Sequence, residues 1–140
     1  CSTVKAANLP VILDTSIRDY ASAEAAIRAF LAERRPPDAI FTLKNSTTKF
    51  AFEALQKLKV PIPDSIALLG YDDFELADAV RPTITVIQQP VADLGRIAAE
   101  LLFQELGGDY ELRPTTLPKQ VQLETRLVLR ASCGCSRATA

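Results

Sequence analysis

Histidine is absent from the 140-residue chain. Without it a Ser-His-Asp triad and a Cys-His dyad cannot form, and nearly every type of catalytic zinc site is excluded. A basic excess is also lacking, because 16 Lys and Arg stand against 17 Asp and Glu, for a net charge of −1. Proteins that neutralise nucleic-acid phosphates normally carry such an excess. Composition therefore argues against much of enzyme chemistry and against direct DNA binding by this chain.

Long apolar runs and a signal peptide are missing as well. No run approaches the roughly 20 apolar residues that span a bilayer. The N-terminus has no Met and no basic region followed by an apolar one. We therefore expect a cytoplasmic location, no membrane partner, and a chain that is part of a longer polypeptide.

Cysteine is scarce, and its three copies form no framework. Cys1 stands alone, whereas Cys133 and Cys135 lie in a Ser-Cys-Gly-Cys-Ser stretch near the C-terminus. One Cys-x-Cys pair cannot supply four zinc ligands, and an odd number of cysteines does not describe a disulfide scaffold. We interpret these residues as mobile thiols in a reducing compartment, and we expect neither a metal nor a cofactor.

Apolar residues make up 48% of the chain, which is enough for one domain with a core. Short apolar runs alternate with segments of helical periodicity. The predicted strands are 9–13, 39–43, 66–69, 84–88 and 121–129, and the predicted helices are 20–34, 46–59, 74–79 and 90–106. This alternation predicts right-handed crossovers and a doubly wound, mainly parallel α/β sheet.

Local signals set the helix ends and the buried faces. Asn45 stands at an N-cap position, Pro90 suits a first helical turn, and Gly107-Gly108 follows a last one. The residues predicted to face inward are Ala51, Ala54, Leu55 and Leu58 in the helix 46–59, and Val91, Leu94, Ala98, Leu101 and Leu102 in the helix 90–106. In the last strand Val121, Leu123, Leu127 and Leu129 face one way, and Gln122, Glu124 and Arg130 face the other.

Polar side chains follow three of the predicted strands. Ligands of open α/β sheets bind beyond the carboxyl ends of the strands. A rim with charges of both signs suits a polyol, a sugar or a sugar phosphate. We therefore expect one concave binding surface, lined by Arg18, Lys44, Asn45 and Asp72.

Each of these residues has a structural alternative. Asn45 can serve only as a helix cap, and Lys44 can be only solvated. Asp72 and Asp73 can simply end the strand and cap the next helix. The Asp-Asp pair can also bind Mg²⁺, although so few carboxylates would need phosphate oxygens to complete the shell. Gly70 fits a tight turn better than a phosphate cradle.

Four segments in order resemble a known family. They are residues 37–41 (Pro-Asp-Ala-Ile-Phe), 60–73 (Val-Pro-Ile-Pro-Asp-Ser-Ile-Ala-Leu-Leu-Gly-Tyr-Asp-Asp), 82–90 (Pro-Thr-Ile-Thr-Val-Ile-Gln-Gln-Pro) and 127–133 (Leu-Val-Leu-Arg-Ala-Ser-Cys). Over residues 9–133 the chain resembles the effector domain of the lactose-repressor and purine-repressor (LacI/GalR) family of transcriptional regulators.

The resemblance implies a domain organisation and a function. The family joins a helix-turn-helix headpiece and a hinge to a two-subdomain effector domain like a periplasmic (type I) sugar-binding protein. Residues 1–140 would be the C-terminal portion of the effector and dimerisation domain, and 84–130 would include the crossover helix and the last strand. In this interpretation the headpiece and most of the first subdomain would lie outside residues 1–140. The chain would be a sensor of a small sugar or sugar phosphate, which modulates operator binding, and not an enzyme.

The resemblance also bears on single residues. Asp72 matches the ligand-contacting carboxylate of the family. Arg18 stands where an aromatic residue often stacks on the ligand, and Lys44-Asn45 replaces the usual Asn-Asp. A cationic rim of this kind favours a phosphorylated or acidic ligand.

Dimer formation is a further expectation from the resemblance. Phe50 and Phe52 make the apolar surface of the helix 46–59 wider than its own sheet requires. The family places this helix and the segment 74–80 at an interface about a two-fold axis. The expected interface residues are Lys49, Phe52, Leu76, Ala79 and Val80. Alternatively, the aromatic side chains tuck under neighbouring loops, or the chain associates through Leu101 and Leu102 of the last helix.

Two other classes of function stay open. An extracytoplasmic sugar-binding protein can have the same fold and would begin with a signal peptide. A phosphoryl-transfer or isomerase domain would use Asp72 and Asp73, but the missing histidine and the missing phosphate loop argue against it.

Overall fold

A computed structural model describes residues 11–106 and 120–135 of the protein. Within these ranges, no helix is long and apolar enough to cross a membrane. The helices are α1 (Tyr20–Leu31), α2 (Asn45–Lys57) and α3 (Val91–Leu106), and the strands are β1 (Ala39–Thr42), β2 (Ala67–Tyr71), β3 (Thr85–Gln88) and β4 (Arg126–Val128).

The four strands form one sheet in the order β1-β2-β3-β4. The first three are parallel, and β4 runs antiparallel to β3. Thr42 pairs with Gly70, and Tyr71 pairs with Ile87, so the carboxyl ends of the parallel strands share one edge. The mainly parallel α/β sheet expected from the sequence is confirmed.

The core lies between the sheet and α2, and α1 packs on α2. Its largest fully buried apolar side chains are Leu55, Ile66, Leu68, Ile84 and Val86. Of the four residues predicted to face inward on α2, Ala51, Ala54 and Leu55 are buried, and Leu58 is half-buried against the core. Helical periodicity therefore identified the buried face of α2.

The ends of two helices differ from the prediction. Helix α1 begins with a capping box, in which Asp19 accepts from the backbone of Ser22, and it ends at Leu31 instead of residue 34. Asn45 is the first residue of α2 and not its cap. Lys44 occupies the cap position in an extended conformation without a side-chain cap bond, because a lysine side chain has no acceptor.

Two segments lack the regular structure predicted for them. Residues 11–13 form no strand, and Val11 and Leu13 are 86% and 77% exposed, since no described strand pairs with them; residues 9–10 lie outside the described ranges. Residues 75–79 form consecutive turns instead of a helix. Arg81 donates to the carbonyl groups of Asp78, Ala79 and Val80. These carbonyl groups therefore accept from a side chain instead of from the backbone N–H groups of a further helical turn.

Helix α3 has no buried residue and contacts no other described helix or strand. The prediction that Val91, Leu94, Ala98, Leu101 and Leu102 pack inward is therefore wrong within the described part of the chain. An amphipathic helix buries its apolar stripe only where a partner surface exists, and the described sheet offers none to α3. Gly107 and Gly108 lie outside the described residues.

The last strand is shorter than predicted and presents the opposite face. Only residues 126–128 pair, and Val128 packs against the core while Leu127 and Leu129 are 54% and 55% exposed. Arg130, predicted to face solvent, lies half-buried beside Asp73. The pairing of Val128 with Val86 sets this orientation, because side chains alternate along a strand.

Candidate ligand-binding site

Asp72 follows β2 in a left-handed conformation, with φ 68°. Its backbone N–H donates to the carbonyl of Ile87 at 2.9 Å, which extends the pairing of β2 with β3 by one bond. Its carboxylate accepts a hydrogen bond from the side-chain amide of Gln89, the first residue after β3. Left-handed backbone is uncommon for a residue with a side chain and recurs at binding sites. The Asp72 carboxylate is thus fixed at the shared edge of two strands.

A groove opens beside Asp72, with a volume of about 490 Å³. It lies between the strand ends and the start of α3, and it carries side chains of both charge signs. Arg126 on β4 donates to the Gln88 side chain at 2.6 Å across one wall. The polar side chains that line the groove are Asp72, Asp73, Gln88, Gln89, Asp93, Glu124 and Arg126. Amides, carboxylates and one guanidinium can orient several hydroxyl groups of a polyol.

Sequence reasoning missed Gln89 and Arg126. Gln89 follows β3 just as Asp72 follows β2, so the rule that selected Asp72 also selects Gln89. Arg126 carried no such signal, because it lies on an antiparallel strand that enters the edge from the other direction.

Asp73 is committed to a structural contact. Its two oxygens accept from Arg130 at 3.0 and 2.8 Å, and Oδ1 also accepts from the backbone N–H of Phe74. The Arg130 guanidinium lowers the pKa of the Asp73 carboxyl, while partial burial opposes this shift. The Asp73 carboxylate is therefore bound by Arg130 and by the Phe74 backbone, and these contacts do not favour the Asp72-Asp73 enzyme alternative.

Lys44 and Asn45 lie at the same edge as Asp72. Thr42 and Gly70 are paired, so Lys44 and Asp72 stand two residues beyond matched positions of neighbouring parallel strands. The buried hydroxyl of Thr48 contacts the Thr42 hydroxyl at 2.7 Å and donates to the Lys44 carbonyl at 3.0 Å. Lys44 is exposed and Asn45 is half-buried. Lys44 and Asn45 therefore follow β1 at this edge, but neither of them lines the groove beside Asp72.

Arg18 is not joined to that edge by any contact of the described residues. Its guanidinium donates to the carbonyl groups of Thr15 and Ile17 at 2.6 and 3.2 Å. Helix α1, which begins two residues after Arg18, contacts the C-terminal end of α2: the centre of the Tyr20 ring lies 5.1 Å from Nζ of Lys57, the last residue of α2. Asn45 is the first residue of α2 and lies at its other end. Three of the four predicted residues thus follow the ends of paired strands, and Arg18 is held by its own loop.

The predicted interface residues lie on two adjacent segments. Nζ of Lys49 on α2 lies 5.4 Å from the ring centre of Phe74, so the outer face of α2 and the segment 74–80 are neighbours. Lys49, Leu76 and Ala79 are exposed, with 58% of Leu76 accessible. Phe52 and Val80 are half-buried and pack against the core. The alternative of inward-tucked aromatic side chains therefore applies in part to Phe52.

In residues 11–106 and 120–135, no cluster of three Cys, Asp or Glu side chains could hold a metal ion. The groups present at the groove are instead hydrogen-bond donors and acceptors suited to an organic ligand.

Comparison with known families agrees with this fold. A family described as "Periplasmic binding protein-like domain" matches residues 2–133. The chain therefore belongs to this class of domain.

Similar solved structures indicate which family within this class the chain resembles. A LacI family transcriptional regulator from Arthrobacter sp. FB24, in complex with lactose, is 28% identical with a TM-score of 0.69, over 83% of this chain and 42% of that one. A LacI family regulator from Lactobacillus casei with bound sucrose is 28% identical with a TM-score of 0.65, over 83% and 41%. Within the class, the chain is a member of the LacI family, which confirms the resemblance seen in the sequence.

Curated relatives are named as regulators of transcription. The ribose operon repressor of Escherichia coli K12 is 33% identical over 107 residues, which is 76% of this chain and 31% of that protein. The transcriptional regulator CelR of Thermobifida fusca is 33% identical over 113 residues, 81% and 32% respectively. The chain thus spans about a third of the length of the curated relatives it matches. Both names are those of transcriptional regulators and not of enzymes, in agreement with the prediction.

Proposed function

We propose that the chain is the ligand-sensing and dimerisation part of a bacterial transcriptional regulator that works in the cytoplasm. Its effector is a small sugar or a phosphorylated sugar, and effector binding changes the affinity of an N-terminal headpiece for operator DNA. The main support for this proposal is the position of the Asp72 carboxylate, which accepts a hydrogen bond from Gln89 at the paired ends of β2 and β3. Two structures of related regulators hold lactose and sucrose, which supports a carbohydrate as the ligand class.

The residues of the edge favour particular contacts. A carboxylate such as Asp72 accepts hydrogen bonds from neighbouring hydroxyl groups of a sugar, and the Asn45 amide can donate or accept. Lys44 adds an exposed cation at the same edge, which suits a phosphate or a carboxylate on the ligand. We assign Arg18 to the ligand by the same charge argument, on the condition that its loop turns towards this edge when the ligand binds.

Residues 1–140 represent the C-terminal portion of the binding domain in this proposal, with the crossover helix and last strand within 84–130. The groove is open, and the apolar side of α3 is uncovered in the described part of the chain. A cleft with one wall cannot bury most of a ligand. The 140-residue chain alone should therefore bind sugars weakly, and full affinity requires the polypeptide that carries both subdomains.

The test uses operator binding by the full regulator that carries this chain, titrated with a panel of hexoses, disaccharides and hexose phosphates. Asp72→Asn should abolish the effector response and leave effector-free operator binding unchanged. Glu33→Gln, an exposed acid after α1, is the matched control and should respond normally. A normal response of Asp72→Asn would refute the site.

Lys44→Ala distinguishes the two ligand classes. If the effector is phosphorylated, loss of this cation should weaken the response to hexose phosphates by about tenfold or more, since charge-assisted contacts contribute about 1.5–3 kcal/mol. An unchanged response to hexose phosphates would show that Lys44 does not contact the ligand.

A further inference from the structure

Cys133 and Cys135 flank a tight turn. Gly134 between them has φ +73°, a left-handed conformation that glycine adopts without strain. The backbone N–H of Cys135 donates to Sγ of Cys133 at 3.4 Å, and the Cys135 thiol donates to the backbone carbonyl of Cys133 at 3.9 Å. Each cysteine side chain is thus hydrogen-bonded to the backbone of the other within one tight turn.

The turn is anchored to the sheet by Ser132, which is fully buried. Its hydroxyl donates to the carbonyl of Leu68 at 2.6 Å and accepts from the backbone N–H of Thr85 at 2.8 Å. The thiol of Cys133 also donates to the carbonyl of Arg130 at 3.7 Å. The interpretation of these cysteines as thiols on a loose tail did not anticipate these bonds. Cys1 lies outside the described residues.

The two thiols differ in their environment. Partial burial opposes ionisation of Cys133, but hydrogen bonds from Thr85 and Cys135 outweigh it and lower the pKa of its thiol. The contact with Cys133 raises the pKa of the Cys135 thiol, which is exposed to solvent. A thiolate is the attacking species in thiol chemistry, so Cys133 is the better nucleophile and Cys135 is placed to resolve the product.

We propose that Cys133-Gly134-Cys135 is a reversible redox site, which low-molecular-weight disulfides such as oxidised glutathione convert into a Cys133–Cys135 disulfide. The Cys133 thiolate attacks one sulfur of the reagent, whose S–S bond breaks, and one glutathione leaves as a thiolate that takes up a proton. The Cys135 thiol then loses its proton and attacks Sγ of Cys133, which releases the second glutathione. The cysteines lose two electrons together, and one glutathione disulfide becomes two thiols.

The test is mass spectrometry of the full chain carrying Cys1→Ser, treated with oxidised glutathione and then with reduced glutathione. The expected product has lost two hydrogen atoms, resists alkylation, and returns to two alkylatable thiols in the reductant. A product that carries two glutathiones, stays fully alkylatable, or migrates as a disulfide-linked dimer would overturn the proposal.

Two variants separate the roles of the thiols. Cys135→Ser should react at an unchanged initial rate and stop at the mixed disulfide of Cys133 with glutathione. Cys133→Ser should react about tenfold more slowly, because only the thiol with the raised pKa is left. Cys133→Ala provides a second test in case the serine disturbs the fold, and it should show the same slow rate. Equal initial rates in the two single-thiol chains would contradict the assignment of Cys133 as the attacking group.

Discussion

The guanidinium of Arg130 holds the carboxylate of Asp73 at two points, Nη1 to Oδ1 at 3.0 Å and Nη2 to Oδ2 at 2.8 Å. The two side chains are only 17% and 20% exposed. Arg130 also donates to the carbonyl of Ile84, the residue before β3, at 2.8 Å. The segment after β4 is thus bound to the residue next to Asp72, so one ion pair joins the C-terminal end of the sheet to the proposed binding edge.

Removal of this ion pair should destabilise the fold. Arg130→Met keeps the aliphatic stem but leaves Asp73 half-buried without its cation, so we expect the free energy of unfolding to fall by about 2–4 kcal/mol. Urea denaturation followed by circular dichroism measures this loss. Arg96→Met on α3 is the control, because its pairs with Asp93 and Glu100 are more than half exposed and should contribute less than about 1 kcal/mol. Equal losses in the two variants would show that the Arg130–Asp73 ion pair stabilises the fold no more than an exposed ion pair does.

The pH dependence of stability should reveal the carboxylate that joins α1 to α2. Hydrogen bonds from Lys57 and then Arg28 lower the pKa of Glu24 from 4.5 to about 2. Because the pKa is depressed in the folded state, this stabilisation is fully present above about pH 4.5 and is lost as the pH falls towards 2.

Glu24→Gln should therefore be less stable than the parent chain at neutral pH, and the difference should vanish near pH 2. Denaturation midpoints measured across this range check the prediction, and carbon NMR of the Glu24 carboxyl group gives its pKa directly. A Glu24 that titrates at its ordinary value would contradict the role of Lys57 and Arg28.

Gly70 on β2 leaves no room for a side chain. An added Cβ would lie 2.9 Å from both Cγ2 and Oγ1 of Thr48 and 3.3 Å from Cγ1 of Val86. We expect Gly70→Ala to lower the free energy of unfolding by about 1–3 kcal/mol, since overpacking a filled core forces its neighbours to move. Gly95→Ala on α3, where nothing lies within 4 Å, should not lower it. The double variant Gly70→Ala, Thr48→Ala should lose less than the sum of its single changes.

The proposed dimer is best tested at Leu76. Phe52 packs against the core, so a charge placed there disturbs the fold as well as the interface, whereas Leu76 is 58% exposed. Leu76→Lys should convert the dimer into a folded monomer in sedimentation experiments. Leu102→Lys on α3, where the side chain is 57% exposed, is the matched control and should stay dimeric. Dissociation by Leu102→Lys alone would assign the association to α3, and a monomeric parent chain at high concentration would refute both surfaces.

The pattern of residues along the chain was sufficient for the fold class and for the position of Asp72 at the end of a strand. The alternation of apolar runs with helical periodicity predicted β1, β2, β3 and the helices α1, α2 and α3, with errors of a few residues at their ends. Asp72 was selected because it follows a buried strand, and in the structure its carboxylate lies at the predicted edge. Such features depend on neighbours in sequence, which a pattern records.

Tertiary contacts decided the rest. A period of two shows that β4 has two faces, but only its pairing with β3 turned Val128 inward and brought Arg130 to Asp73. Tertiary structure alone also showed the contact of Gln89 with Asp72, the local bonds of Arg18, and the uncovered apolar side of α3. Each of these depends on which surfaces meet in space, and a periodic pattern encodes the existence of an apolar or polar face without its partner.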